Sequence, residues 1–198
     1  MMEERVPVPT QDLEESALAD RLCSGDPEAF RLWVNQHKDQ LVNYLTKLTG
    51  QRSRAEDLAQ EGFLRFYRTV VSRPFHNLNP VPYLYRIVTN LLRSEERKAR
   101  RFVWVAALLK PRPAGPADSA QAQEKILQDE TRIELARALA RLPLRYRVPL
   151  VLREIELWAY RDIADVLNLN EGTVKSRIHR GKAILKQQLE AFWQGGSR

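Results

Sequence analysis

Cysteine is nearly missing from this chain of 198 residues, with Cys23 standing alone. That excludes an intrachain disulfide framework and any cysteine-based zinc cluster. Cys23 falls in an apolar helical pattern and reads as a buried thiol. No stretch approaches the roughly 18 consecutive apolar residues of a membrane span. The opening MMEERVPVPTQDLEES carries acids where a secretory signal needs an apolar core, so a cytoplasmic protein without membrane insertion is expected. Sustained period-two alternation is absent, which leaves no strand signal. His37, His76 and His179 have no metal-ligand spacing, and no nucleophile stands in a pattern with a base. Neither metal, cofactor nor catalytic activity is therefore expected.

What is present is helical periodicity and positive charge. Hydrophobic residues make up 43% of the chain, enough to build cores, and the formal net charge is +7 with a pI of about 9.7. A basic balance of that size fits an anionic partner such as nucleic acid or a membrane surface.

An opening helix is predicted over about Gln11–Cys23, with Leu13, Ala17 and Leu22 as its apolar stripe. Asp26 suits an N-cap and Pro27 the first helical position. The following helix offers Phe30, Trp33, Val34, Leu41, Leu45 and Leu48 before Gly50 supplies a stop. Ser53 and Glu56 have capping-box spacing. Behind them Ala55, Leu58, Ala59, Gly62 and Phe66 form an inward face, while Asp57, Gln60, Glu61 and Arg65 leave a polar ridge. The stretch SRPFHNLNPVP is a loop. A helix is expected over about Pro82–Arg101, apolar and aromatic at its start and ending in RSEERKARR.

KPRPAGPADSAQAQE resists packing and marks a boundary, while RFVWVAALL before it is apolar enough to dock on something. Helical pattern resumes over Ile133–Leu142 and continues to the C-terminus. The fold class is all-α, with two small helical domains joined by a flexible linker: 1–102, a linker at 103–130, and 131–198.

The second domain contains a helix-turn-helix signature. Ile163, Ala164 and Leu167 form the buried side of a first helix, NLN is a short turn, and Asn170 caps a second. At 100° per residue Val174, Ile178 and Leu185 face the core, while Gly172, Ser176, His179 and Arg180 gather opposite them, with Lys175 and Lys182 beside. A major groove admits such a helix, and its cations suit guanine edges and phosphates. Gly181 is an oddity, since a mid-helix glycine costs about 1 kcal/mol relative to alanine.

Taken together, the chain resembles the sigma-70 factors of bacterial RNA polymerase, in the short extracytoplasmic-function (ECF) group that keeps only regions 2 and 4. GDPEAFRLWVNQHKDQLVNYLTKLTG resembles region 2.1, and AEDLAQEGFLRFYR resembles region 2.2. PYLYRIVTNLLRSEERKARR is similar to regions 2.3 and 2.4. LPLRYRVPLVLREIELWAYRDIADVLNLNEGTVKSRIHRGKAIL looks like region 4. The resemblance implies a promoter-specificity factor that binds core RNA polymerase through its clamp coiled coil and flap, without catalysis.

It gives the ridge of Asp57, Gln60, Glu61 and Arg65 to the polymerase. Phe75, His76, Asn77 and Asn79 fall to a loop that captures a flipped base of the −10 element. Tyr83, Tyr85, Arg86 and Asn90 would border the melted strand, although core packing is an equally open role for the two tyrosines. Arg93, Arg97, Lys98, Arg100 and Arg101 suit its phosphates. Lys175, Ser176, His179 and Arg180, with Thr173 and Arg177, would read the −35 duplex. An anti-sigma partner is also implied. Two rival classes are a stand-alone helix-turn-helix regulator, which does not need the aromatic and basic helix, and a helical enzyme acting on nucleic acid, which lacks a recognisable site.

Overall fold

The computed structural model describes residues 17–22, 24–72, 79–107 and 126–195, with side chains described outside 100–107, 126–132 and 191–195. All regular structure among them is helical. Helix α1 covers 17–22 and is followed by α2 (Pro27–Thr49), α3 (Arg52–Ser72) and α4 (Pro80–Ala107). The C-terminal half contains α5 (Ile126–Arg141), α6 (Leu144–Glu154), α7 (Tyr160–Leu167) and α8 (Glu171–Gly195).

Local chemistry sets several of these ends as the sequence predicts. Asp26 accepts from the N–H groups of Glu28 and Ala29, and Pro27 opens α2. Arg21 pairs with Asp26 at 2.6 Å, and this hydrogen-bonded partner holds the carboxyl below its ordinary pKa. Gly50 takes the left-handed conformation (φ 72°) and returns its N–H to Thr46, ending α2.

Other boundaries differ. The expected capping box does not form: α3 begins at Arg52, with Ala55 N–H bonded to Gln51 O, so Ser53 lies inside its first turn rather than at its cap. Helix α4 begins at Pro80, two residues earlier than expected, since a proline at the first position loses only an N–H that has no helical partner anyway. It also runs on to Ala107, and α5 starts at Ile126, so helix enters both ends of the expected linker. Residues 108–125, Leu13 and Cys23 lie outside the described residues, and with them most of the linker, the buried-thiol reading and part of RFVWVAALL.

The N-terminal core forms where α2, α3 and α4 meet. Trp33 stacks on Phe66 with centroids 4.7 Å apart and meets Phe63 edge-on at 5.8 Å. The predicted inward face of α3 is buried throughout. Gly62 permits its close approach to α4, because a Cβ there would stand 2.3 Å from Val88 Cγ1. In the C-terminal half, α6 and α8 pack with Val148, Val151, Leu152, Val174 and Ile178 buried.

The two domains pack on each other: their buried side chains form one continuous cluster, and α2 and α4 pack on α5, α6 and α7. Arg147 is the buried cation of the junction. It donates to the carbonyls of Ala140 and Leu142 at the end of α5 and to Leu48 near the end of α2. Both helix ends present unpaired carbonyls with partial negative charge, so one guanidinium satisfies several acceptors. Burial lowers its pKa from the usual arginine value.

Candidate nucleic-acid interface

Helix α8 is placed by the turn before it. Asn168 adopts the left-handed conformation (φ 52°), which asparagine tolerates better than most residues, and closes α7. Leu169 N–H then reaches back to Ala164 O at 2.9 Å. Asn170 caps α8, its Oδ1 accepting from Thr173 N–H at 2.7 Å. Val174 and Ile178 are buried, as expected, which turns Lys175, Ser176, His179 and Arg180 outward.

That outward face is braced. Lys175 Nζ lies 5.3 Å from the Tyr160 ring centroid and 4.0 Å from Glu171. Ser176 Oγ donates to Thr173 O at 2.9 Å, and Thr173 itself is half-buried. A hydrogen bond from Arg180 pulls the Tyr146 hydroxyl below its usual pKa, while Arg145 stands over the same ring at 4.7 Å. Arg145 and Tyr146 thus extend the basic face onto α6, a contribution that sequence reading missed. The RYR triplet was its only local sign. Arg177 points elsewhere: it is half-buried and lines a cleft with Arg93, Arg97 and Arg145.

On α4 the expected single-strand surface is partly turned inward. Tyr85 is buried between Tyr44 and Trp158, each 4.7 Å away by ring centroid, so it is a packing residue. Burial drives the pKa of both Tyr85 and Tyr44 upward. Tyr83 is half-buried near Phe66 at 5.9 Å. Arg86 is exposed, yet its Nη2 donates to Asp165 O at 2.8 Å. Arg93 is half-buried, and burial followed by the like charge of Arg177 lowers its pKa. Asn79, Asn90, Arg97 and Lys98 are exposed. Phe75, His76 and Asn77 lie outside the described residues, as do the side chains of Arg100 and Arg101.

The ridge on α3 is divided. Asp57, Glu61 and Arg65, spaced by four, border a groove shared with Asn90, Ser94 and Lys98 of α4. Arg65 pairs with Glu61 at 2.6 Å. Gln60 faces the other way, toward an apolar groove with Phe30, Val34, Val42 and Leu64.

A helix-turn-helix with an exposed basic face, joined to a three-helix bundle with a second basic helix, defines a two-part DNA-binding protein. Comparison with known proteins fixes the family. The sigma-70 region 2 profile matches residues 33–102, and the sigma-70 region 4 profile matches residues 132–185. The ECF RNA polymerase sigma factor SigW of Bacillus subtilis is 31% identical over 179 residues, covering 83% of this chain and 91% of that one. The ECF RNA polymerase sigma factor SigE of Mycolicibacterium smegmatis is 34% identical over 173 residues, covering 84% of this chain and 65% of that one. The sigma factor RpoE of Bartonella quintana, solved in complex with the anti-sigma factor NepR, shares the fold with a TM-score of 0.63 at 24% identity, over 81% of this chain and 96% of that one. The chain belongs to the ECF group of the sigma-70 family. It is a promoter-specific transcription initiation factor of RNA polymerase, without catalytic activity of its own. None of the described helices is long and apolar enough to cross a membrane.

Proposed function

We propose that Lys175, Ser176, His179 and Arg180 read the −35 duplex, while Asn79, Arg86, Asn90, Arg93, Arg97 and Lys98 contact the −10 segment. Residues 1–102 and 131–198 act as the two binding units, and the protein works in the cytoplasm. The observation that carries this reading is the outward face of α8, where four polar or basic side chains stand clear of the core on a capped helix. The face fits a major groove, and guanidinium or ammonium groups pair with guanine edges and phosphates. Arg145 adds a phosphate contact beside them.

On the polymerase side, Asp57, Glu61 and Arg65 form the docking ridge for the clamp coiled coil, with Gln60 at the border of the neighbouring apolar groove. An anti-sigma factor, the kind of partner that RpoE of Bartonella quintana carries in its co-crystal structure, regulates the chain by covering these surfaces. Arg180→Ala should lose −35 discrimination by about 1–3 kcal/mol and keep core polymerase binding, measured by competition between promoter sequences and by co-elution with core. Loss of core binding in that variant, with promoter discrimination intact, would reassign the face.

A further inference from the structure

We propose that the cleft between α4, α6 and α8 binds a small polyphosphate, either an inorganic chain or the phosphates of a nucleotide. Four arginines from three helices converge on it: Arg93 and Arg97 of α4, Arg145 of α6 and Arg177 of α8. Arg93 and Arg97 are shared with the proposed −10 surface, but the site does not depend on that role.

The cleft has a volume of about 530 Å³, within the range of sites that hold small ligands. Its charge is largely uncompensated, since Glu96 is the only acid among the residues that line it. Arg93, Arg97 and Arg177 form no hydrogen bond or ion pair among the described residues. Arg93 and Arg177 are half-buried. Burial, and after it the like charge of Arg177, lower the Arg93 pKa, and Arg97 acts in the same direction. The fold therefore holds these cations together against their repulsion. A multiply charged anion removes that repulsion and offers guanidiniums paired, parallel hydrogen bonds.

The backbone adds to the same field. Pro143 stands at the N-cap of α6 and supplies no side-chain acceptor, and the first turn of that helix carries no acid. Pro143, Leu144 and Arg145 all line the cleft. An anion there meets the positive end of the α6 dipole as well as the arginines.

The shape favours a short run of phosphates over a nucleic-acid strand. A strand is followed by cations spread along an open groove, whereas these four close on one cavity from three helices. Leu144, Leu167 and Leu169 supply an apolar wall beside them, against which a nucleobase can pack.

Isothermal titration of the full chain tests the site, with tripolyphosphate, ATP, adenosine and random single-stranded DNA as probes at matched ionic strength. Tripolyphosphate or ATP should bind saturably at one per chain, and adenosine should not. ATP binding tighter than tripolyphosphate assigns the site to nucleotides through the apolar wall. ATP equal or weaker assigns it to a bare phosphate chain. Arg177→Gln, off the outward face of α8, should weaken binding roughly tenfold, the effect of losing charge-assisted hydrogen bonds. Arg145→Gln, at an exposed position on α6, should do the same, so the result does not hang on one half-buried side chain. Lys186→Gln, which removes a positive charge from α8 away from the cleft, should bind as the parent. No saturable binding of either polyphosphate, or unchanged affinity in both arginine variants, overturns the site. Binding of single-stranded DNA alone, weakened by the same variants, also overturns it and gives the cleft to nucleic acid. No promoter or polymerase enters the assay, so its outcome stands apart from the functional reading, which a transcription assay tests.

Discussion

Helices α4 and α8 carry the same kinds of side chain and present them in opposite ways. On α8, Lys175, Ser176, His179 and Arg180 stand clear of the core and are braced by Tyr160, Glu171 and Tyr146. On α4, Arg86 is bonded to the C-terminal half, Arg93 is half-buried and Tyr85 is covered by Trp158. The helix proposed to read duplex is thus ready-made, whereas the helix proposed to meet melted DNA is partly committed to intramolecular contacts. A duplex offers its groove without rearrangement, but a melted strand exists only after opening. The two surfaces match the order in which their ligands become available.

Removing the cation between the halves should have the largest effect. Arg147→Ala should orphan carbonyls of α2 and α5 together and lower unfolding stability by about 3 kcal/mol in urea titration. Gly62→Ala should cost about 2 kcal/mol, because the added methyl meets the stiff Val88 side chain and forces α3 from α4. Its main effect falls on the N-terminal half, visible as faster amide exchange there.

Gly181→Ala should act in the opposite direction. The new Cβ would meet Tyr146 and Leu150 at 3.5–3.6 Å, an ordinary contact, so the helix gains about 1 kcal/mol in thermal unfolding. Leu157→Gly should also stabilise, by about 1 kcal/mol, by relieving the left-handed leucine. Smallest is an acid effect at Asp26. Its pKa is lowered by Arg21 and the α2 amides, so its stabilisation is complete above the ordinary carboxylate range and fades as pH falls through the lowered value. Asp26→Asn, which keeps the cap but not the charge, should flatten that part of the acid titration.

Much of this was legible from local pattern. The Asp26–Pro27 start, the Gly50 stop, the Asn170 cap and the inward Val174 and Ile178 each follow from a few neighbouring residues. Ser53 and Glu56 match a capping box, yet α3 begins at Arg52, two residues before a Ser53 cap would start it, because its first helical bond runs from Ala55 N–H to Gln51 O. Arg177 looked like part of the reading face by composition, yet its angular position lies beside the buried stripe. The contact between the halves had no local signature at all. Its polar bonds join residues 79 to 116 positions apart, and no short pattern encodes such pairs. Glu156 and Trp158 therefore read as ordinary loop residues until their partners on α2 and α4 are seen.

On the proposed assignment, this chain gives core polymerase its promoter choice through two DNA surfaces. In vitro transcription with purified core polymerase and a genomic promoter pool tests it most directly. Promoter-specific transcripts should appear only when the chain is added, and Arg180→Ala should redistribute them without loss of core binding. Tight binding to isolated duplex DNA with no binding to core polymerase and no transcripts would contradict it.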